Sequence, residues 1–378
     1  MKTITSLAIA LSLMIGNPVF ADLSLRDKIG QMLIIGFEGK TTEHNDFIVN
    51  AINEDHIGGV ILFDHNMQRQ VPDKNIESPQ QVKKLNRDLQ DLNQKADIKY
   101  ARTPLPLLIA VDYEGGRVNR LKEDYGFPPT LPAATIGQMS LMDADQQAKI
   151  MADTLKTAGF NLDLAPVLDL NLYPDNPIIG TTNRSFSDNP GDVSKYAELY
   201  SLNFLSENIQ CAYKHFPGHG SARGDSHQGF VDVTDFWQHE ELDPYQQLIS
   251  SGNACGMIMT AHIVNRQLDD SGLPATLSHK ILTDILRNRL NFSGVVITDD
   301  MQMKAISDNY SERQAITLAI NAGADMFIFG NQLQAPQDPK ELVDIIESEV
   351  YAGHISEERI EQAYERIVHL KQSTLNMG

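Results

Sequence analysis

The stretch Ile209-Gln210-Cys211-Ala212-Tyr213-Lys214-His215 is a mostly apolar run that ends in two ionisable side chains. Seven further apolar or β-branched runs occur along the chain, over residues 31–37, 59–63, 105–112, 160–170, 256–263, 293–299 and 325–330. The segments between them repeat apolar residues at helical spacing and predict helices over residues 79–95, 143–158, 191–207, 278–290, 311–322 and 356–371. Eight strands that alternate with helices, each apolar on both faces, predict an α/β fold, a single-domain (β/α)8 TIM barrel.

A doubly wound open sheet is the alternative fold, because it uses the same alternation of strands and helices. Its nucleotide-binding versions carry Gly-x-Gly-x-x-Gly after the first strand, and no such motif follows residues 31–37 here. The barrel is therefore the favoured prediction.

Ionisable residues close five of the eight apolar runs on the C-terminal side. They are Asp112, Asp169, Lys214 with His215, His262 and Asp299. Side chains from different strands of a barrel converge at this rim, which is where TIM-barrel enzymes carry out their chemistry. The pattern predicts an active site there.

One loop concentrates polar groups more than any other segment. Lys214-His215-Phe216-Pro217-Gly218-His219-Gly220 is followed closely by Asp225-Ser226-His227, and the glycines and proline favour a fixed loop over a helix. A solvated surface loop and a metal cluster are the alternatives. Because neither a helical His-x-x-x-His nor a Cys-x-x-Cys pair accompanies these histidines, we predict no metal and no cofactor.

The first 21 residues have the pattern of a secretory signal peptide. A lysine precedes an apolar run over residues 4–15, and Pro18-Val19-Phe20-Ala21 resembles a cleavage site. The apolar run is shorter than the about 20 residues that span a bilayer, so we expect no stable membrane insertion. The prediction is an exported protein, periplasmic or extracellular, whose catalytic domain occupies residues 22–378.

Charge and cysteine content exclude other classes of protein. Fifty acidic against 31 basic residues give a net charge of −19, which repels nucleic acid and anionic membranes. Cys211 and Cys255 are the only cysteines and are too few for a disulfide framework. Both are predicted near the starts of neighbouring strands, where a single bridge and two buried thiols are both compatible with the sequence.

Six stretches of the chain resemble glycoside hydrolase family 3, within it the single-domain β-N-acetylglucosaminidases. In the family's order they are residues 111–118 (VDYEGGRV) with Arg120, 161–169 (NLDLAPVLD), 183–186 (NRSF), 214–220 (KHFPGHG), 225–227 (DSH) and 298–303 (TDDMQM). Family β-glucosidases usually carry a second domain that supplies an acid/base carboxylate. Because this chain ends near the last predicted barrel helix, the resemblance favours the glucosaminidase branch.

The resemblance implies a role for each matching residue. Asp299 would be the catalytic nucleophile, and His227, paired with Asp225, would be the general acid/base. The residues expected to hold sugar hydroxyls are Asp112, Arg120, Arg184, Lys214 and His215. The structural alternatives are a helix N-cap for Asp299, with Asp300 able to fill that role instead, and ion pairs of the three cations with Asp112, Asp163 or Asp169.

The chemistry of these residue types supports the implied roles. A retaining glycosidase needs a carboxylate below the anomeric carbon and a proton donor on the leaving-group side. The imidazole of His227 titrates near neutral pH and, unlike a second carboxylate, is not repelled by Asp299. Asp225 can accept a hydrogen bond from one ring nitrogen and so fix the tautomer.

Four other side chains are assigned weaker roles. His219 and His262 are expected to support the site or the core rather than to act on substrate. Trp237 either stacks on sugar or packs in the ordinary way. Glu114 is expected to orient Arg117 or the loop backbone.

The resulting prediction is a retaining exo-β-N-acetylglucosaminidase that acts on peptidoglycan fragments or chitin oligomers, with a carbohydrate as its partner. Family members in bacteria commonly act in the cytoplasm, and an export signal departs from that pattern. A β-glucosidase, a β-xylosidase or a glycoside phosphorylase on the same scaffold is the alternative function. A glycan-binding protein without activity is the alternative from another class.

Overall fold

A closed barrel of eight parallel strands forms the centre of the protein, so the open-sheet alternative is wrong and the predicted TIM barrel is confirmed. The computed structural model describes residues 23–72 and 74–375, and the predicted signal peptide lies outside this part. The strands in chain order are β1 (Leu33–Gly36), β2 (Gly59–Ile61), β3 (Leu108–Val111), β4 (Tyr113–Gly115), β5 (Val118–Asn119), β6 (Leu162–Asp163), β7 (Gln210–Phe216), β8 (Met257–Thr260), β9 (Val295–Asp300) and β10 (Met326–Phe329). Each of the eight apolar runs overlaps one barrel strand, with β7 and β9 each extending one residue beyond its run, and β4 and β5 form a separate antiparallel hairpin.

Helices surround the barrel. The α-helices are α1 (Leu25–Gln31), α2 (Asp46–Asn53), α3 (Pro79–Tyr100), α4 (Ala133–Ile136), α5 (Leu141–Ala158), α6 (Pro190–Ser206), α7 (Asp243–Ser251), α8 (Lys304–Ser307), α9 (Glu312–Ala322), α10 (Pro339–Tyr351) and α11 (Glu357–Leu375). Short 3₁₀ turns cover Glu123–Tyr125, His239–Leu242 and Ala275–Leu277, and a π-helix covers Lys280–Arg289. All six predicted helices are present, the one over residues 278–290 in the π form. None of the described helices is both long and apolar enough to cross a bilayer.

The helix ends follow from local sequence. Ser140 accepts a hydrogen bond from the backbone of Asp143 at the start of α5, and Gly159 ends that helix with a φ of 84°. Ser311 and Gln314 form a reciprocal capping box at the start of α9. Such caps fix where each helix begins and ends, and therefore where the chain enters the next barrel strand.

The barrel interior is filled with side chains. Every residue of β1, β3, β7, β8 and β10 is buried, as expected for parallel strands covered on both faces. The regular pairing of β8 with β9 runs from Met257 opposite Val295 to Met259 opposite Ile297. This pairing ends two residues before Asp299, which lies at the C-terminal rim.

A disulfide joins Cys211 in β7 to Cys255 just before β8, with the two Cα atoms 5.0 Å apart. Of the two arrangements that the sequence allows, the structure has the bridge. It lies at the N-terminal end of these strands, on the opposite side of the barrel from the ionisable rim. The bridge therefore acts on the fold rather than on the site.

Removing the disulfide with Cys211→Ala and Cys255→Ala should lower the free energy of unfolding by about 4 kcal/mol, because the cysteines are 44 residues apart and the cross-link restricts the unfolded chain. Urea denaturation of the double variant, compared with oxidised and reduced wild type, measures the effect. Activity at low temperature should stay unchanged. An unchanged denaturation midpoint would show that the bridge contributes no stability.

Candidate active site

A cavity of about 260 Å³ lies at the C-terminal rim of the barrel. Phe63, Met259 and Met303 contribute apolar wall. Seven of the eight predicted site residues line it, namely Asp112, Arg120, Arg184, Lys214, His215, His227 and Asp299. The eighth, Asp225, lies behind His227. The structure therefore brings together residues that are spread over nearly 190 positions of sequence.

Asp299 lies near the end of β9, and its Oδ1 accepts a hydrogen bond of 2.8 Å from the backbone of Asp300. Burial alone would raise its pKa, but the nearby imidazoles of His215, His262 and His227 hold the pKa below its usual range. Asp299 is therefore a carboxylate at neutral pH. This is the state that a nucleophile needs.

The helix-cap role considered for Asp299, or for Asp300 in its place, does not occur. The next helix, α8, has Met303 at its N-cap position, without a side-chain cap. Asp300 instead accepts hydrogen bonds from the backbones of Gln302 at 3.0 Å and Gly330 at 3.3 Å. It stabilises the turn after β9 and leaves Asp299 without a capping role.

His227 and Asp225 form the predicted pair. The Nδ1 of His227 lies 2.8 Å from Oδ1 of Asp225, whose other oxygen accepts from Gln228 at 3.0 Å. Burial lowers the pKa of His227, whereas the hydrogen bond to Asp225 and the charge of Asp299 raise it, and the net shift is upward. With Nδ1 bonded to Asp225, Nε2 is the nitrogen left for a substrate.

The loop that carries His227 is anchored on both sides. Gly220 and Ser221 donate hydrogen bonds to the buried carboxylate of Glu241, and the carbonyl of Ser226 accepts one of 3.2 Å from Ala305 in α8. A side chain at position 220 would be impossible, since a Cβ there would lie 1.8 Å from the carbonyl oxygen of Leu170. His227 itself stays 48% exposed, at the mouth of the cavity.

The cations of the site are held by two carboxylates. Glu114 receives both nitrogens of the Arg184 fork at 2.7 Å and also Lys214 at 2.7 Å. Asp112 pairs with Lys214 at 3.0 Å and with Arg120 at 3.4 Å. The alternative that the cations form ion pairs is thus correct for Asp112 and wrong for Asp163 and Asp169. The ion pairs with Asp112 are compatible with a sugar-binding role for these cations.

Glu114 is the functional residue that sequence reasoning missed. Its expected role, orienting Arg117 or the loop backbone, is wrong, because its carboxylate bridges Arg184 and Lys214. Burial would raise its pKa, but these two cations lower it to about 2. The sequence did offer one indication of this role, because Glu114 lies two residues after Asp112 within the same matching stretch.

Asp169 closes its apolar run as expected and fixes His215. Its Oδ2 lies 2.6 Å from Nδ1 of His215, and its Oδ1 accepts from the backbone of His219 at 2.7 Å. The other ring nitrogen of His215 faces Arg184 at 3.4 Å. The imidazole is therefore held in one orientation at the cavity wall.

The three remaining candidates lie outside the cavity lining. Trp237 is buried and donates to the carbonyl of Pro217 at 3.3 Å, which supports ordinary packing. His219 is buried without a hydrogen bond to either ring nitrogen among the described residues, and burial lowers its pKa to about 4. His262 is buried beside β9 and bonds to Thr276 and Asp300.

Within the described part of the chain, no group of three His, Cys, Asp or Glu side chains has a metal-binding arrangement.

Comparison with known proteins matches residues 24–370 to the Glycosyl hydrolase family 3 N terminal domain. Beta-hexosaminidase A of Pseudoalteromonas piscicida is 32% identical over 338 residues, which cover 83% of this chain and 53% of that relative. Beta-hexosaminidase of Nitrosomonas eutropha is 32% identical over 330 residues, covering 85% of both chains. The chain thus spans about half the length of the first relative and most of the second.

Comparison with solved structures points to the same family. A glycoside hydrolase family 3 beta-N-acetylglucosaminidase from Paenibacillus superposes with a TM-score of 0.81 at 32% identity, over 94% of this chain and 63% of that one. Beta-N-acetylhexosaminidase from Beutenbergia cavernae superposes with a TM-score of 0.79 at 26% identity, over 93% of this chain and 99% of that one. The alignment with the Beutenbergia cavernae structure therefore covers nearly the whole of both chains.

Proposed function

Because this chain belongs to glycosyl hydrolase family 3, we propose that it is a retaining exo-β-N-acetylglucosaminidase, which removes terminal non-reducing N-acetylglucosamine. One observation carries the proposal: Asp299 and the Asp225-paired His227 line the same cavity. The printed names of the relatives, beta-hexosaminidase and beta-N-acetylglucosaminidase, support the choice of sugar.

The reaction proceeds in two steps. In the first, the Asp299 carboxylate attacks C1 of the sugar, the bond from C1 to the leaving oxygen breaks, and Nε2 of His227 gives that oxygen its proton. In the second, the now neutral His227 takes a proton from water, whose oxygen attacks C1 and releases Asp299. The enzyme thereby returns to its starting state, with a free Asp299 carboxylate and a protonated His227, and the aglycone and the sugar leave as the two products.

The other cavity residues hold the terminal sugar. Lys214, Arg120 and Arg184 each have donors beyond those used in their ion pairs, and Asp112 and Glu114 keep these cations in place. Fixed donors and acceptors on one side of a small cavity suit a single terminal sugar rather than a long chain. This supports exo action.

The natural substrate belongs to the same proposal. Peptidoglycan fragments and chitin oligomers both present terminal N-acetylglucosamine, and an exported enzyme would meet either. The Cys211–Cys255 disulfide supports export to the periplasm or beyond, because structural disulfides persist in oxidising compartments. The signal-like pattern of residues 1–21 gives independent support.

The proposal is tested with aryl β-glycosides of N-acetylglucosamine, glucose and xylose at equal concentrations. We expect hydrolysis of the N-acetylglucosaminide, with the β-anomer as first product by NMR. Faster cleavage of the glucoside or xyloside would overturn the sugar assignment. A phosphorylated sugar formed in phosphate buffer would indicate phosphorolysis, and saturable binding without turnover would indicate a glycan-binding protein.

Asp112→Ala should raise KM by roughly 10- to 100-fold, because it removes an acceptor for sugar hydroxyls, the ion pair of Arg120 and one of the two ion pairs of Lys214. Circular dichroism should show the fold unchanged. Steady-state kinetics on the aryl N-acetylglucosaminide measure the effect. A KM equal to that of wild type would exclude Asp112 from the sugar site.

Asp225→Asn should move the basic limb of the kcat/KM profile to lower pH by about one unit. His227 must be protonated for the first step, and its hydrogen bond to Asp225 raises its pKa, so that the active form persists to higher pH. Losing the carboxylate lowers that pKa. Gln228→Ala, which removes only a neutral donor to Asp225, should leave the limb in place, and equal profiles for Asp225→Asn and wild type would contradict the pairing.

A further inference from the structure

The backbone that follows the nucleophile is held by a side chain from the segment after the neighbouring strand β8. The ladder between β8 and β9 ends at Met259 opposite Ile297, two residues before Asp299. Beyond that point Nε2 of His262 lies 3.0 Å from the carbonyl oxygen of Asp300. On the other side of β9, Met301 donates to the carbonyl of Ile328 at 2.9 Å. The end of β9 is therefore bound from both neighbours, and the imidazole replaces a ladder bond on one of them.

A chain of hydroxyl groups sets the tautomer of this imidazole. A carbonyl oxygen only accepts, so Nε2 of His262 carries the hydrogen, and in a neutral ring Nδ1 is then an acceptor. Nδ1 lies 2.7 Å from Oγ1 of Thr276, which lies 2.7 Å from Oγ1 of Thr260. The Thr276 hydroxyl has a single hydrogen and also lies 3.1 Å from the carbonyl oxygen of Ala261. Because Nδ1 is the closer acceptor, Thr276 donates to His262, Thr260 donates to Thr276, and His262 donates to Asp300.

The surroundings keep the ring neutral. All three donors of this chain are buried, with 0% exposure for Thr260 and Thr276 and 1% for His262. The titratable groups that face His262 are Asp299, His227 and His215, in addition to the Asp300 carbonyl. Burial lowers the pKa of His262, the charge of Asp299 opposes this, and the net direction is downward.

We propose that His262 is a positioning residue for the nucleophile: through the Thr260–Thr276–His262 chain it fixes the carbonyl of Asp300, and thereby the attack geometry of Asp299. The proposal rests on the proposed function, in which Asp299 attacks C1. Asp299 is connected to this point because its Oδ1 bonds to the backbone N–H of Asp300. A displacement of about 1 Å in a reacting group can cost on the order of 100-fold in rate. Because His262 positions the nucleophile and does not line the cavity, its loss should lower kcat and leave KM almost unchanged.

The test compares variants on the aryl N-acetylglucosaminide. His262→Ala should lower kcat by roughly 10- to 100-fold with little change in KM. His262→Gln, whose amide can still donate to the Asp300 carbonyl, should recover most of that loss. Thr276→Val keeps the volume but removes the donor to Nδ1, and it should lower kcat several-fold.

A double-variant cycle separates positioning from a general loss of packing. Because the proposal has Thr276 act on the nucleophile through His262, Thr276→Val should have little further effect on kcat when His262 is already Ala. Thr283→Val is the control, since it removes a hydroxyl that donates a hydrogen bond of 2.8 Å to the carbonyl of Ala322, outside the cavity lining, and it should leave kcat unchanged.

Three results would overturn the proposal. They are a wild-type kcat in His262→Ala, a KM effect without a kcat effect, or additive losses in the double variant. If His262→Ala does not fold, the Gln and Val variants decide the question by themselves. Wild type that cleaves no aryl N-acetylglucosaminide would instead contradict the proposed function, so the two failures are distinguishable.

Discussion

Asp299→Asn is expected to lower kcat by on the order of 10⁴-fold or more, because an uncharged amide cannot form the bond to C1. The amide keeps the shape of the carboxylate and can still accept from the backbone of Asp300, so the fold and KM should change little. Steady-state kinetics on an activated aryl N-acetylglucosaminide measure the loss. Of all single substitutions in this chain, this one should have the largest effect on turnover.

A carboxylate elsewhere on the barrel provides the control for Asp299→Asn. Asp284 lies on the π-helix with 57% of its side chain exposed, and Asp284→Asn should leave kcat unchanged. If Asp299→Asn keeps more than about a tenth of wild-type turnover, the nucleophile is another group and the two-step reaction proposed above is wrong.

His227→Ala is expected to lower kcat/KM by roughly 10²- to 10⁴-fold on substrates with poor leaving groups, such as disaccharides. The loss should be much smaller on dinitrophenyl N-acetylglucosaminide, since a phenolate of low basicity leaves without a proton. The ratio of the two losses is the quantity to measure. Because the dinitrophenyl group leaves without a proton, its release reports only damage to the cavity. Cleavage of the disaccharide also reports the loss of the proton donor.

Equal losses of kcat/KM on both substrates would remove His227 from the acid/base role. His239→Ala provides a matched control, because His239 is exposed and packs edge-on against Trp237 outside the cavity lining. That variant should behave like wild type on both substrates. The comparison thus isolates the position of the imidazole.

Much of the fold was predictable because both strands and helices are encoded locally. A buried parallel strand needs a continuous apolar run, and each of the eight runs overlaps a barrel strand. No helix was predicted for α1, α2, α4, α7 or α8, whose four to nine residues are too short to show a clear repeat. Helix α10 does carry that repeat, at Leu342, Val343, Ile346 and Val350, so its signal was present and was overlooked.

The position of the site was predictable for the same reason, since ionisable residues at strand ends meet at one rim of a barrel. The partners of those residues were not predictable. Arg184 pairs with Glu114 across 70 positions of sequence, and Lys214 pairs with Asp112 across 102. Such contacts depend on how two loops approach each other in three dimensions, which neither periodicity nor spacing encodes.

The boundaries of β6 show a second limit of the sequence. The apolar run over residues 160–170 predicts one long strand, but the strand covers only Leu162–Asp163. Asp163 is buried and accepts from the backbone of Tyr113, where the β4 hairpin begins. The rest of the run leads to Asp169 beside His215 and joins the sheet only through an isolated bridge between Val167 and Lys214. Its apolar character therefore reflects burial more than regular strand structure.

The central claim, that Asp299 bonds to the sugar while His227 serves the leaving group, has one direct test. In His227→Ala, an activated aryl N-acetylglucosaminide should still glycosylate the enzyme, but the second step lacks its base, so the covalent intermediate should accumulate. Rapid quenching, digestion and mass spectrometry should find one N-acetylglucosaminyl group on the peptide that contains Asp299, and none in Asp299→Asn. A sugar attached to a different residue, or no attached sugar while the aryl group is released, would contradict the account.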